Sequence, residues 1–86
     1  MVWSAPRGVA APAPDDQQLR ERRAVGNRLR ALRRQRGLSQ ERLGELARMD
    51  RRTVGRLEHG TVAATIDQLT AVADALDTEL RRLFDG

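Results

Sequence analysis

The residues of this chain with the most informative chemistry are three closely spaced arginines, Arg51, Arg52 and Arg56. The apolar residues Val54 and Leu57 lie among them at the three-residue spacing that buries one stripe of an α-helix. The arginines would then cover the solvent-facing side of that helix. Each guanidinium group presents a fork of hydrogen-bond donors that matches the two acceptors of guanine and the oxygens of a phosphate. This pattern predicts recognition of a nucleic acid by hydrogen bonding.

The side chains that enzymes use are largely missing from the sequence. It has no cysteine and no tyrosine, a single histidine, and neither a glycine-rich phosphate loop nor a paired metal-ligand motif. We therefore expect no catalytic activity, no cofactor and no metal. The lack of cysteine also removes any disulfide framework, which favours a cytoplasmic location. No run of about 18 apolar residues is present to span a membrane, and the pattern of a secretion signal is absent from the N-terminus.

Positive charge is concentrated in the middle of the 86-residue chain. Positions 20–60 hold thirteen arginines against five acidic residues, whereas positions 61–86 hold two arginines against five acidic residues. The chain has no lysine, and arginine suits bidentate hydrogen bonds to phosphate and guanine. A protein that binds a polyanion needs such a basic surface. We predict double-stranded DNA as the partner of this basic region.

Two short helices joined by a tight turn would position the three arginines. The first helix is capped by Ser39 and contains Gly44, a position without a side chain where a second helix can approach closely. The second helix is capped by Asp50 and ends at Gly60, which adopts a left-handed conformation at little cost. The apolar face of the first helix is expected to consist of Leu43, Leu46 and Ala47. This arrangement is a helix-turn-helix, whose second helix, 51–59, reads the major groove of DNA.

The remaining segments predict an all-α fold of five helices. A first helix begins at about position 18 or 19 and ends near Arg36, and Gly26 is expected to weaken or bend its early part. A fourth helix follows Thr65 and a fifth follows Thr78. The buried face of the fourth helix is expected to contain Ile66, Leu69, Val72, Ala73 and Leu76.

The N-terminal part of the chain has a different composition. Positions 1–18 are rich in alanine and proline and show no apolar period, so they predict a disordered tail. Positions 19–86 then form a single helix-turn-helix DNA-binding domain, close to the smallest size at which a core is stable without disulfides or metal.

The sequence also resembles a known family of DNA-binding proteins. The residues that carry the resemblance are Leu38-Ser39-Gln40-Glu41, Leu43, Thr53-Val54 and Leu57-Glu58-His59-Gly60. On these residues, the chain is similar over about positions 25–84 to the Cro/C1 (Xre) type helix-turn-helix transcriptional regulators. The resemblance implies a phage-repressor-like, all-α DNA-binding domain.

Roles for individual residues follow from this resemblance. It implies base contacts in the major groove from Arg51, Arg52, Thr53 and Arg56. It implies contacts to backbone phosphates from Ser39 and Gln40. His59 lies at the end of the recognition helix, where it would contact a phosphate or would simply be exposed to solvent. It also implies that Arg33 and Glu58 form a buried ion pair between the first helix and the end of the recognition helix.

Two positions depart from the pattern of this family. Arg48 stands where the family generally has glycine in the turn, and an arginine with positive φ would carry strain of about 1 kcal/mol. Gly55 replaces a small polar residue in the middle of the recognition helix. A glycine there costs about 1 kcal/mol relative to alanine and leaves a flat spot that faces the groove.

The sequence leaves two functions open for the DNA-binding domain. In the first, the chain is a sequence-specific transcriptional regulator, a repressor, that binds as a homodimer. The dimer would use Leu80, Leu83 and Phe84, unless these residues simply complete the core of the monomer. In the second, the chain is an antitoxin or adaptor that binds a toxin or other protein partner and regulates its own operon. Acidic residues near the C-terminus would face a basic partner, or would be merely solvated.

Overall fold

The computed structural model describes residues 13–85, and these residues form an all-α domain as the sequence predicted. Four α-helices are followed by a short 3₁₀ helix, and the described part of the chain contains no strand. Positions 1–12 of the predicted tail lie outside the described residues. In chain order the elements are α1 (Asp16–Gln35), α2 (Gln40–Ala47), α3 (Arg51–His59), α4 (Ile66–Ala75) and the 3₁₀ helix (Leu80–Leu83).

The ends of the chain differ from the prediction in two respects. Helix α1 begins at Asp16, earlier than expected, because Asp15 and Gln18 form a reciprocal capping box at its N-terminus. Residues 16–18 of the predicted tail are therefore helical. The prediction of a fifth α-helix after Thr78 was wrong, since the chain forms only a 3₁₀ helix at Leu80–Leu83. Its N-cap residue, Glu79, makes no side-chain capping hydrogen bond, and the segment is only four residues long.

All four α-helices and the 3₁₀ helix contribute to one core. The largest fully buried side chains are those of Leu29, Leu43, Val54, Val72, Leu76 and Leu83. Two residues that were expected on buried faces are exposed instead: Leu46 is 45% exposed and Ile66 is 64% exposed. Leu46 falls beside the stripe that α2 buries, and Ile66 is the first residue of α4, before the helix reaches the core.

Glycines allow two close contacts between backbones. A Cβ atom on Gly26 would lie 2.4 Å from the carbonyl oxygen of Glu58, so α1 directly touches the end of α3. A Cβ atom on Gly44 would lie 2.5 Å from the carbonyl oxygen of Met49, in the turn between α2 and α3. Gly26 therefore serves the packing of α1 against α3. The helix is continuous through Gly26, from Asp16 to Gln35.

The turn between α2 and α3 contains a residue in the left-handed conformation. Arg48 has φ 58° and ψ 45°, and its backbone N–H donates to the carbonyl groups at the end of α2. Gly60 ends α3 with φ 68°, which glycine adopts without strain. Arg48 therefore has the positive φ that was expected to carry strain in this turn.

No helix in the described residues is long and apolar enough to cross a membrane.

Candidate nucleic-acid interface

Helix α3 has one face in the core and one in solvent. Val54 and Leu57 are buried and fix the helix against α1 and α2, while Arg51, Arg52 and Arg56 are exposed. Between residues 13 and 85, none of these three guanidinium groups makes a hydrogen bond or an ion pair. The face of α3 that lies in solvent therefore offers three free, fork-shaped donors.

These arginines border a shallow surface depression together with residues from α2 and from the end of α3. The depression is lined by Gln40, Arg51, Arg52, Gly55, Arg56, His59 and Thr61. It brings together three of the residues expected to contact bases and two of those expected to contact phosphate. Thr53 is half-buried and Ser39 is exposed, and neither lines the depression.

The N-terminal caps fix the two helices of the helix-turn-helix. The hydroxyl of Ser39 accepts a hydrogen bond of 3.0 Å from the backbone N–H of Arg42. The carboxylate of Asp50 accepts one of 2.8 Å from the backbone N–H of Thr53. That hydrogen bond, with the nearby charges of Arg52 and Arg56, lowers the pKa of Asp50. Asp50 therefore caps α3 as a carboxylate directly beside the arginine face.

His59 is oriented by a backbone carbonyl group. Its Nδ1 lies 2.7 Å from the carbonyl oxygen of Gly55, one turn earlier on α3. Because a carbonyl oxygen only accepts, Nδ1 must carry the hydrogen in this arrangement. The other ring nitrogen, Nε2, is then left for a partner outside the domain.

A buried carboxylate connects α1, α2 and α3. Glu58, only 3% exposed, accepts hydrogen bonds from Arg33 of α1 at 2.6 Å (Nε to Oε2) and 3.0 Å (a terminal nitrogen to Oε1). The side-chain amide of Gln40, the first residue of α2, donates to Oε1 of Glu58 at 3.1 Å. Arg33 also donates to the carbonyl oxygen of Leu38 at 2.8 Å. Glu58, on α3, thus connects this helix to α1 through Arg33 and to α2 through Gln40.

The environment of Glu58 keeps it ionised. Burial on its own favours the neutral acid, but the hydrogen bonds from Arg33 and Gln40, together with the charges of Arg33 and Arg30, outweigh burial and lower the pKa of Glu58. The ionised form is the one that can accept all three hydrogen bonds. Glu58 therefore acts as a structural anion at the end of the recognition helix.

Sequence reasoning missed the roles of two arginines, one in α1 and one at its C-cap. Arg28 donates to the carbonyl oxygen of Arg82 at 3.1 Å, and Arg36 donates to that of Leu76 at 2.8 Å. These two arginines hold the C-terminal segment against α1. No local pattern in the sequence separates them from the arginines that remain free, because their partners lie 54 and 40 residues away along the chain.

The three residues considered for a dimer interface have different environments. Leu83 is 1% exposed and belongs to the core of the monomer, and Leu80 packs partly buried against that core. Phe84 is 55% exposed. It borders an apolar cleft between α1, α3 and α4 with a volume of about 160 Å³.

Comparison with known proteins identifies the family. The HTH_3 helix-turn-helix family profile matches residues 29–83, which include α2, α3, α4 and the greater part of the core. The chain belongs to this family. It is an all-α helix-turn-helix protein of the Cro/C1 type, as the residues of α2 and α3 predicted. A comparison with curated protein sequences gives no match.

Solved structures of helix-turn-helix proteins share the fold. The restriction-modification controller protein C.AhdI from Aeromonas hydrophila is 42% identical with a TM-score of 0.74, and the match covers 76% of this chain and 98% of that chain. The HTH_3 family transcriptional regulator from Vibrio cholerae is 27% identical with a TM-score of 0.74, over 78% of this chain and 38% of that one. The clp gene regulator ClgR from Corynebacterium glutamicum is 27% identical with a TM-score of 0.71, over 73% and 67%.

These similarities establish the class of this HTH_3 protein. The three proteins are described as a controller protein, a transcriptional regulator and a gene regulator, and none is described as an enzyme. The chain has the fold of a DNA-binding transcription regulator, and α3 occupies the position of the recognition helix.

Proposed function

We propose that this protein is a sequence-specific transcriptional repressor that reads DNA by inserting α3 into the major groove. The observation that carries the proposal is the exposed face of α3, where Arg51, Arg52 and Arg56 are free of protein partners among the described residues. A buried stripe and two capped ends hold this helix in place, so the three guanidinium groups are presented by a rigid element.

The proposed base contacts follow from the chemistry of the groove. An arginine fork donates to O6 and N7 of guanine, and such a contact contributes about 1–3 kcal/mol of discrimination against other bases. Arg51, Arg52 and Arg56 would read guanine in this way, while the hydroxyl and methyl groups of Thr53 suit phosphate or thymine. Since Gly55 has no side chain, the base pair opposite it would be read poorly.

The proposed phosphate contacts lie at the edge of the same surface. Ser39 and Gln40 stand at the N-terminus of α2, where backbone amides and the helix dipole favour an anion. His59, with Nε2 directed away from its bond to Gly55, would contact the backbone at the other end of α3. These contacts would position α3 in the groove without reading sequence.

Dimer formation belongs to this proposal. Two copies related by a two-fold axis would place their recognition helices in successive major grooves about 34 Å apart, on a nearly palindromic site. Of the three candidate residues, only Phe84 is largely exposed, so it is the residue we propose at the centre of the interface.

The similarity to C.AhdI supports a regulatory role for this domain. The match covers 98% of that controller protein, so that protein consists of little more than this domain. We propose that this chain, like a controller protein, regulates transcription by binding DNA.

The alternative function, an antitoxin or adaptor, is supported by one acidic surface. Asp74, Asp77 and Glu79 line a shallow depression at the C-terminal end of α4. A basic protein partner would bind there, while α3 kept its role in DNA binding and autoregulation. Stoichiometric binding of one small basic protein to the purified chain, lost on replacing Asp74 and Glu79 by asparagine and glutamine, would favour this alternative.

Selection from a randomised duplex library, followed by sequencing, tests the proposal. We would compare the wild-type protein with Arg51→Ala and Arg52→Ala at two salt concentrations, because the phosphate contribution to affinity depends strongly on salt. Arg81→Ala is the matched control, since Arg81 is paired with Glu79 far along the chain from α3. Enrichment of a two-fold symmetric site, with a guanine preference that weakens only in the α3 variants, is the expected result. Salt-sensitive binding without enrichment would contradict sequence reading and favour the adaptor.

A further inference from the structure

Arg30, on α1, has a guanidinium group that the protein uses only in part. Its Nε lies 3.7 Å from Oε1 of Glu58, and this nitrogen is buried without a hydrogen-bond partner within residues 13–85. The side chain as a whole is 40% exposed. Its two terminal nitrogens are not buried, and they donate to no acceptor in the same range. Two parallel donors of Arg30 therefore face solvent.

The charge of Arg30 is not neutralised by its neighbours. Among residues 13–85, Glu58 is the only carboxylate within ion-pair distance of Arg30, and Arg33 already engages both of its oxygens at 2.6 and 3.0 Å. The side-chain amide of Gln40 also donates a hydrogen bond to Oε1 of Glu58, at 3.1 Å. One carboxylate thus faces two guanidinium groups, which leaves one positive charge in excess.

Arg30 and Gln40 both lie close to the same oxygen atom, Oε1 of Glu58. Oε1 of Glu58 lies 3.1 Å from the amide nitrogen of Gln40 and 3.7 Å from Nε of Arg30. Gln40 begins α2 and borders the depression in front of α3. The first amides of an α-helix have no acceptor within the helix, so this end of α2 is itself suited to an anion. Arg30, on α1, therefore lies near the N-terminus of α2.

We propose that Arg30 binds a phosphate of the DNA backbone beside the N-terminus of α2, through its two terminal nitrogens. A guanidinium group matches two oxygens of a phosphate in a bidentate arrangement, and such a contact carries no sequence information. The charge of Glu58, 3.7 Å from Nε of Arg30, favours this position of the guanidinium group before DNA binds. This inference rests on the proposed DNA-binding function and adds a contact from a helix outside the helix-turn-helix.

A role in folding alone gives a different expectation. If Arg30 only supported Glu58, replacing it would lower the stability of the domain without changing the number of phosphates that the protein contacts. The salt dependence of DNA binding separates these two roles, because each neutralised phosphate contributes about 0.9 to the slope of log K against log salt concentration.

The test is a series of DNA-binding titrations at several salt concentrations with the selected duplex and with a scrambled duplex. The variants are Arg30→Gln, Arg30→Lys and, as the matched loss of one charge, Arg81→Gln. Arg30→Gln is expected to weaken binding to both duplexes by a similar factor, about tenfold, and to reduce the slope by about 0.9. Arg30→Lys should restore the slope, and Arg81→Gln should leave it unchanged. Thermal unfolding of each variant is measured alongside.

The outcomes separate this inference from the function on which it rests. An unchanged slope for Arg30→Gln, with wild-type DNA binding intact, would overturn the phosphate contact and leave the regulator standing. An equal loss of slope in Arg81→Gln would also overturn it, because the effect would then reflect total charge. Failure of the wild-type protein to bind either duplex would overturn the proposed function itself.

Discussion

Arg33 and Glu58, which are 25 residues apart in the chain, form a buried pair with two hydrogen bonds of 2.6 and 3.0 Å. This pair ties α1 to the end of the recognition helix, so the orientation of α3 depends on a charge interaction inside the domain. Replacing one partner strands the other charge away from water, which costs about 3–5 kcal/mol.

We therefore expect Glu58→Leu to lose about 3–5 kcal/mol of the free energy of unfolding, measured by urea denaturation. The double variant Arg33→Met with Glu58→Leu should regain most of that loss, because the buried charge of Arg33 is then removed together with its partner. Glu79→Gln is the control, since its pair with Arg81 is exposed and should contribute less than about 1 kcal/mol. A loss below about 1 kcal/mol in the Glu58 variant would contradict a structural role for the pair.

The lowered pKa of Glu58 predicts acid sensitivity of the fold. The unfolded chain takes up a proton on this carboxyl near its ordinary value of 4.5, whereas the folded protein takes it up only at lower pH. In that window the unfolded state binds more protons, so stability decreases as the pH falls. The contribution is fully present above the ordinary value and is lost as the pH falls through the lowered pKa.

Urea denaturation between neutral pH and pH values below the ordinary carboxyl range measures this effect. The free energy of unfolding of the wild-type protein should fall more steeply than that of Glu58→Gln, which has no carboxyl group at this position. Asp50 has a lowered pKa as well, so Asp50→Asn is the control for the share of the slope that comes from the α3 cap. Parallel slopes for the wild-type protein and Glu58→Gln would refute the prediction.

Replacing Gly26 of α1 and Gly55 of α3 by alanine should change the stability of the domain in opposite directions. In Gly26→Ala the new methyl group would lie 2.4 Å from a backbone oxygen of Glu58, which forces α1 away from α3 and costs about 1–3 kcal/mol. In Gly55→Ala the nearest atom, in the side chain of Gln40, is 3.7 Å away. This is an ordinary van der Waals distance, so the methyl group causes no clash. Because alanine has a higher helix propensity than glycine, the variant should be more stable by about 0.5–1 kcal/mol. Thermal unfolding of both variants checks the signs, and destabilisation by both would mean that α3 needs Gly55 for packing.

Relief of backbone strain at Arg48 should stabilise the domain. Its φ of 58° is unfavourable for arginine and natural for glycine, so Arg48→Gly should raise the free energy of unfolding by about 1 kcal/mol. Arg42→Gly is the contrasting control, because it places glycine inside α2 and should lower stability by about 1 kcal/mol. Urea denaturation of both variants gives the comparison. Destabilisation by Arg48→Gly would show that contacts of the Arg48 side chain exceed the strain.

The neighbouring residues Leu83 and Phe84 should separate folding from self-association. Leu83→Ser removes a core side chain and should cost about 2–5 kcal/mol of stability. Phe84→Ser removes a side chain that is 55% exposed, so the fold should persist while a dimer dissociates. Sedimentation equilibrium in dilute solution measures the mass of each variant. A wild-type protein that sediments as a monomer at tens of micromolar would contradict the dimer.

The sequence by itself determined the helix-turn-helix and the class of protein. Ser39, Asp50 and Thr65 cap helices in the structure as their positions predicted, and the family match confirms the type of regulator. These signals are local, because a cap and an apolar stripe act over three or four residues of one helix. The face of α3 that carries the arginines followed from the spacing of Val54 and Leu57 alone.

Only the tertiary structure decided which arginines of the basic region are free. Arg28 and Arg36 donate to carbonyl oxygens near the C-terminus, whereas Arg30 keeps two donors in solvent, although Arg28 and Arg30 lie on α1 and Arg36 is its C-cap residue. The same holds for Leu83 and Phe84, one buried and one exposed. Local sequence cannot distinguish such residues, because their environments are set by the packing of helices that are distant in the chain, and that packing also fixes where α3 presents its charge.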